Sequence, residues 1–299
     1  MENVNPFLLS GAWYKGALHA HTTRSDGKLS PAESAAAHRQ AGYHFISITD
    51  HDVITDMSEF NTEDFLTIPG VEVGHGKNAV GQSYHMVLVG IRQLTRAHYG
   101  DSIQTAIDTW RQSAKLVFLP HPYWSGMVVD ELLALERLPG MEIWNTSAQT
   151  DLGKGLATVH WDDVLARGKR WAGFATDDTH GINDDFNGGW VWAKSERLDE
   201  ESILAALNAG AFYTSTGPEI HDFRVENGIA YIRCSAVSVI NIIGSTQWGL
   251  QRRAEPGQTI TEFEYKLTGK EQYLRAECKD ALGRTAWTNP LYFTDRQNI

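Results

Sequence analysis

Hydrophobic and polar positions follow two different rhythms along this chain. From about Tyr14 to Ala209, short apolar runs alternate with segments of helical period, the pattern of β/α units. Strands are expected at Tyr14–Leu18, Phe45–Ile48, Phe65–Val73, Tyr84–Ile91, Leu116–Leu119, Met141–Trp144 and Trp171–Ala175. Each is densely apolar and stops at a polar, glycine or proline position, as buried parallel strands do. The helices are marked by their ends. Ser30-Pro31-Ala32-Glu33 reads as a capping box with proline in the first turn, and Gly42 stops the helix that follows. Asp101 is expected to cap Ser102–Ala114, and Asp199 a helix running to Ala209. Val128–Glu136 and Thr158–Ala166 are further helical segments. After Gly210 helical periodicity stops and β-rich segments separated by turns take over, which predicts a small all-β domain of sandwich type. The expected division is residues 1–213 and 214–299.

The apolar runs share an unusual ending. Leu18-His19-Ala20-His21, Thr49-Asp50-His51, Val71-Glu72, Tyr84-His85, Pro120-His121 and Asp177-Asp178-Thr179-His180 each place a metal-ligating side chain at or beside a predicted strand. In a parallel β/α barrel the C-terminal strand ends open onto one shared mouth. His19 and His21, two residues apart, project from one face of a strand and can reach one metal. Asp26 lies in the loop that follows, where Gly27 eases the turn. With His51, Glu72, His85, His121, Asp178 and His180 the set holds six imidazoles and three carboxylates, more than one tetrahedral zinc can use. Nitrogen and oxygen donors without thiolate suit Zn²⁺, Mn²⁺ or Fe²⁺. Asp50 and Asp52 are expected behind these ligands, orienting imidazoles.

Composition narrows the partners. The net charge of −11, with no cluster of Lys or Arg, argues against a long nucleic acid. No apolar run is long enough to span a membrane. Met1-Glu2-Asn3-Val4-Asn5 lacks the basic-then-apolar pattern of an export signal, so a cytoplasmic location is the default, with Cys234 and Cys278 reduced and buried. A homo-oligomer is compatible with all of this.

The ordered motifs Leu18-His19-Ala20-His21-Thr22-Thr23 with Ser25-Asp26-Gly27, Ile48-Thr49-Asp50-His51-Asp52, Gly70-Val71-Glu72, His121-Pro122 and Asp178-Thr179-His180 resemble those of the polymerase-and-histidinol-phosphatase (PHP) family. The resemblance covers roughly residues 12–210. It implies a distorted (β/α)7 barrel, two or three divalent metals and phosphoester hydrolysis. It also implies metal ligation by His19, His21, Asp26, His51, Glu72, His85, His121, Asp178 and His180, with His180, His51 and Asp178 closest to the chemistry. The later stretches Gly188-Gly189-Trp190-Val191 and Ala209–Pro218 resemble a subgroup related to carbaryl-hydrolase-like metallohydrolases. That adds carbamate and carboxyl-ester hydrolysis to the phosphoester reading. A metal-bearing binding module without catalysis is a third.

Substrate contacts are expected from Arg24, in the first loop, and from Tyr123 and Trp124, which follow His121 directly. Arg24 would clamp a phosphate and the two rings would stack on a planar group. Lys77 and Lys154 are the other cations near the motifs, so a strongly charged substrate such as a bisphosphate is not clearly provided for, and a small phosphorylated metabolite or nucleotide is expected. The run Asn183-Asp184-Asp185 reads as a solvated loop, and Trp287-Thr288-Asn289-Pro290 as the segment of the β-domain that meets the barrel.

Overall fold

Burial of the apolar runs builds one long sheet. The structure, a computed structural model, describes residues 4–182 and 184–293. The expected strands form as Ala12–Ala17 (β1), Phe45–Ile48 (β2), Leu66–His75 (β3), Tyr84–Val89 (β4), Leu116–Phe118 (β5), Gly140–Asn145 (β6) and Ala172–Thr176 (β7). β1, β2 and β3 pair in parallel, as do β6 and β7. Parallel bridges from Leu119 to Met141 and from Ala20 to Thr179 carry pairing from β5 to β6 and from the end of β7 back to the end of β1. β1 to β7 therefore form a ring with two thin joints.

One expectation fails in that ring. β4 runs antiparallel to both β3 and β5. Residues 76–83 form the whole link from β3 to β4, short of the dozen or so that a parallel crossover needs. His85 therefore stands near the start of its strand rather than at its end, yet the reversal brings that start to the same side as the other ligands.

The helices are Pro31–Gln40 (α1), Ile103–Trp110 (α2), Val129–Ala134 (α3), Thr146–Leu152 (α4), Thr158–Ala166 (α5) and Glu200–Ala209 (α6). The Ser30–Glu33 capping box is formed, and Asp199 caps α6, which ends at Gly210 in the left-handed region. α2 is capped by Ser102 instead of Asp101, because Ser102 accepts the Thr105 N–H.

Beyond the ring, Trp190–Ser195 (β8) runs antiparallel to β1, and Phe212–Ser215 (β9) antiparallel to β8. The remaining strands are Ile220–Glu226 (β10), Ile229–Val237 (β11), Val239–Gly244 (β12), Gly249–Arg253 (β13), Ile260–Lys266 (β14), Tyr273–Lys279 (β15), Thr285–Thr288 (β16) and Leu291–Tyr292 (β17). β16 pairs with β9, and β15, β12 and β13 continue outward, so a twelve-stranded sheet runs from the ring into the C-terminal strands. β10, β11 and β14 form a second sheet. Phe223, Ile232 and Cys234 on it pack against Ile240, Ala276 and Cys278 of the first, a sandwich-like core in which both cysteines are free and buried. β9 spans the expected division at residue 213 and pairs on both sides.

Trp287 and Asn289 make the contact expected of their segment. The Asn289 side chain accepts from Gly173 N (3.0 Å) and donates to the carbonyls of Gly210 (3.2 Å) and Phe212 (3.0 Å). No described helix is long and apolar enough to cross a membrane.

Candidate metal centre

All nine expected ligands converge on one side of the ring. Backbone pairing continues past β1, where Thr179 O accepts from His21 N (2.8 Å), so Leu18-His19-Ala20-His21 stays extended and both imidazoles are buried. His121 and Asp178 hold positive φ angles (27° and 53°), a strained backbone that aims each side chain inward. Gly27 has a different role from the one expected. Its φ is not positive; a Cβ there would lie 2.3 Å from the His21 carbonyl oxygen, so the loop carrying Asp26 can close only on a glycine.

The ligand atoms fall into three groups, each with its members within 4.8 Å of one another: His19, His21, Glu72 and Asp178; Glu72, His85 and His121; and His21, Asp26, His51 and His180. Glu72 joins the first two groups. Its Oε2 lies 3.2 Å from His19 Nε2 and 3.3 Å from His21 Nε2, while its Oε1 lies 2.8 Å from His85 Nδ1 and 3.2 Å from His121 Nε2. His21 presents Nε2 to Asp178 Oδ1 at 3.0 Å and Nδ1 to Asp26 Oδ1 at 3.6 Å.

Whether these residues fit a metal can be judged from the orphaned atoms. His19 Nε2, His21 Nε2 and Asp178 Oδ1 are buried, close together and without a hydrogen bond. Both imidazole nitrogens lie close to the same carboxylate oxygen, Asp178 Oδ1, at 3.1 and 3.0 Å, an arrangement a cation completes and a single proton only partly satisfies. Burial works against charge on His19, but Asp178, Glu72 and Glu142 outweigh it and hold its pKa well above the usual imidazole range. His21 is pushed up to about 9 in the same way, by Asp178 and Glu72 against burial. The site therefore favours positive charge, and the donor set fits divalent metal.

Two residues that the sequence reading passed over hold the centre in place. Glu142, inside β6, accepts from His19 Nδ1 (2.7 Å), His121 N (2.8 Å), Asn145 Nδ2 (2.8 Å) and Thr176 Oγ1 (2.7 Å). Asp177 accepts from the backbone N–H groups of Asn187, Gly188 and Gly189 and from Thr146 Oγ1. Burial pushes its carboxyl up to about 6, against the pull of those donors. A Cβ on Gly188 would meet Thr146 at 2.4 Å and one on Gly189 would meet Trp144 at 2.7 Å, so only glycines let this loop close on Asp177.

Asp50 does stand behind the ligands, but among the described residues it grips hydroxyls rather than an imidazole. It accepts from Thr22 Oγ1 (2.7 Å), Ser25 Oγ (2.8 Å) and Thr55 Oγ1 (2.6 Å), which fixes the Asp26 loop. Asp52 lies outside, 3.8 Å from Arg96. His75 bonds the Asp101 carbonyl oxygen and packs on Trp110, away from the ligand groups.

A cavity of about 510 Å³ opens over the ligands. Trp124 lines it, 42% exposed, with its ring edge-on to His121 at 5.0 Å. Tyr123 stands beside it, against His160 and below Lys154, and does not line the cavity. Arg24 is exposed and also lies outside the lining; the cation there is Lys28, which the sequence reading did not single out. The rim holds Asp151, Asp184 and Asp185. Asn183 lies outside the described residues. Asp185 is not simply solvated, since it accepts from His180 N (2.6 Å) and Thr179 Oγ1 (3.2 Å).

No protein-family model and no curated protein matches the sequence. Among solved structures, a two-domain protein from Bacteroides vulgatus containing a predicted PHP-like metal-dependent phosphoesterase is similar over 90% of this chain and 91% of its own, at 15% identity and a TM-score of 0.51. An amidohydrolase from Chromobacterium violaceum, crystallised with sulfate and no metal, is similar over 57% of this chain and 89% of its own, at 14% identity and a TM-score of 0.43. Identities this low speak to fold alone: this chain shares its fold with the Bacteroides protein along nearly the whole length of both.

Proposed function

We propose that the chain is a metal-dependent hydrolase, a phosphoesterase acting on a small, singly phosphorylated metabolite or nucleotide. We take the ring of strands as the distorted (β/α)7 barrel of that class, with two or three divalent ions (Zn, Mn or Fe) in the three ligand groups. The observation that carries this reading is the sharing of Glu72 between two adjacent groups, with a third beside them, under one cavity. Adjacent cations suit a phosphoryl group, whose several oxygens each need charge neutralised. Metals bound there would supply Lewis acidity toward the substrate's oxygens and toward water.

The chain's own groups do the rest. Glu72 and His21, each shared by two ligand groups, set the spacing between them, and Glu142 bonds His19 Nδ1 and so leaves Nε2 to Glu72 and Asp178. His180 donates from Nδ1 to the Asp178 carbonyl oxygen (2.8 Å), which leaves Nε2 directed toward Asp26, 3.5 Å away. With ions in the other two groups only, that nitrogen, once protonated, or the neighbouring His51 is placed to hand a proton to the leaving group; with the third group filled, both are ligands instead. Trp124 offers a face for a planar leaving group, and Lys28 a single positive charge.

A second reading, carbamate or carboxyl-ester hydrolysis at the same centre, is favoured by the rim. Asp151, Asp184 and Asp185 outnumber Lys28 and repel an anionic substrate. One experiment separates the two. Protein loaded with Mn²⁺ or Zn²⁺ is offered p-nitrophenyl phosphate, its bis-ester and p-nitrophenyl acetate in parallel. Turnover of a phosphoester supports the first reading, and turnover of the acetate alone replaces it with the second. Full metal occupancy with no turnover of any of the three sinks both.

A further inference from the structure

We propose that the junction between the ring and the C-terminal strands is a second ligand site, built to hold a neutral saccharide. A cleft of about 420 Å³ lies there, outside the metal centre, with Trp144 of β6 on one wall and the face of β13-β12-β15-β16 on the other.

Strand register organises that face. Gln251, Asn241, Glu277 and Trp287 are direct cross-strand partners in succession, so their side chains form one row on one side of the sheet. The opposite side of these strands, with Ile240, Ile242, Ala276 and Cys278, faces the sandwich core. The row is already wired as a ladder of planar polar groups. Arg253 Nε donates to Gln251 Oε1 (2.7 Å), Gln251 Nε2 to Asn241 Oδ1 (2.9 Å), and Asn241 Nδ2 to Glu277 Oε2 (3.3 Å). Behind it, the buried Arg275 fixes Glu277 Oε1 at 2.6 Å. At the end of the ladder the Trp287 ring stands 6.3 Å from Trp144, tilted by 30°.

Each feature points to the same ligand chemistry. Amides, a guanidinium and a carboxylate, held flat and still carrying unused donors and acceptors, match vicinal hydroxyls, each of which both donates and accepts. The half-buried Trp144 indole, backed by the buried Trp287 ring, matches the C–H face of a sugar ring. The cations Arg253 and Lys279 are balanced by Glu277 and Asp280 among the lining residues, which suits a neutral ligand over an acidic one. Pre-wired side chains lose little freedom on binding, so the ladder is ready without rearrangement.

The site stands independently of the hydrolase reading, and its test reads binding rather than turnover. The full-length protein is titrated with neutral hexasaccharides (an α-glucan, a β-glucan and a mannan) and with oligogalacturonate, following tryptophan fluorescence and calorimetric heat. The expected result is saturable binding of at least one neutral oligosaccharide with none of the acidic one. Gln251→Ala and Asn241→Ala should each weaken it by about tenfold while leaving the melting temperature unchanged. Binding that survives both substitutions, binding only of the acidic oligosaccharide, or binding of none of the four would each overturn the proposal. Trp287→Ala is a poorer probe because that ring is buried, so the exposed Gln251 carries the test.

Discussion

The Nδ1 of His19 lies 2.7 Å from Oε1 of Glu142, both side chains buried, and this contact decides where the other ring nitrogen points. Glu142→Gln removes the charge that favours the Nδ1–H tautomer and cannot satisfy all four donors now held. Metal affinity should fall about 10- to 100-fold with the fold retained. Titration with Zn²⁺ or Mn²⁺ against a competing chelator, beside a circular dichroism spectrum, checks it. Unchanged affinity would mean that Glu142 is structural only.

Glu72 serves two ligand groups and His85 one. Elemental analysis should therefore show that Glu72→Ala loses more metal per chain than His85→Ala. Both should lose at least about a hundredfold in activity, since removing a ligand costs more than removing its supporting partner. If His85→Ala keeps both its full metal content and its activity, the second group is not a metal position.

Trp124 touches the cavity and an imidazole of the centre, but it is no ligand. Trp124→Ala should raise KM for an aryl substrate up to about tenfold and change kcat little, because a stacking face binds ground and transition states alike. A fall in kcat with KM unchanged would contradict that role.

His38 gives the pH dependence a specific source outside the centre. Burial pushes its pKa down to about 4, against the Nδ1 hydrogen bond to the Ser34 carbonyl oxygen and with help from Lys15; Tyr43 and Phe186 pack on its ring. The folded value lies below the unfolded one, so between about pH 6.5 and 4 the unfolded chain binds a proton that the folded chain refuses. Stability should therefore be unaffected by this group above pH 6.5 and fall as the pH drops toward 4, by up to ~3 kcal/mol. Urea midpoints of metal-free protein at pH 7.5 and pH 5 should diverge less in His38→Gln than in the parent chain. Equal divergence would assign the loss to other groups.

The candidate ligands other than Asp26 were legible in the sequence because each interrupts or ends an apolar run, where a charged or imidazole side chain has no packing reason to be. Glu142 carried the same signal, a carboxylate between Met141 and Ile143, and was passed over because it lies inside its strand rather than at the end. The reversal of β4 was readable only from the short link over residues 76–83, since apolar content says nothing about strand direction. β8 was missed because its residues alternate between buried and half-buried, unlike the continuous runs of the ring. Lys28 was invisible as a mouth residue: its place depends on how the Asp26 loop folds back, with Lys28 N donating to the His180 carbonyl oxygen (2.7 Å).

Thr214 sits in β9 with Val191 of β8 on one side and Trp287 of β16 on the other. Hydrogen bonds thus cross without a seam from the ring into the C-terminal strands. The buried guanidinium of Arg275 rivets the same strands to α5 through Asp162, at 2.9 and 2.7 Å. A body joined this way has, among its described residues, no hinge between the ring and the C-terminal strands. Access to the candidate metal centre therefore runs through the loops of its mouth, around Trp124, Asp151 and Asp184, with the C-terminal strands as a buttress along the ring.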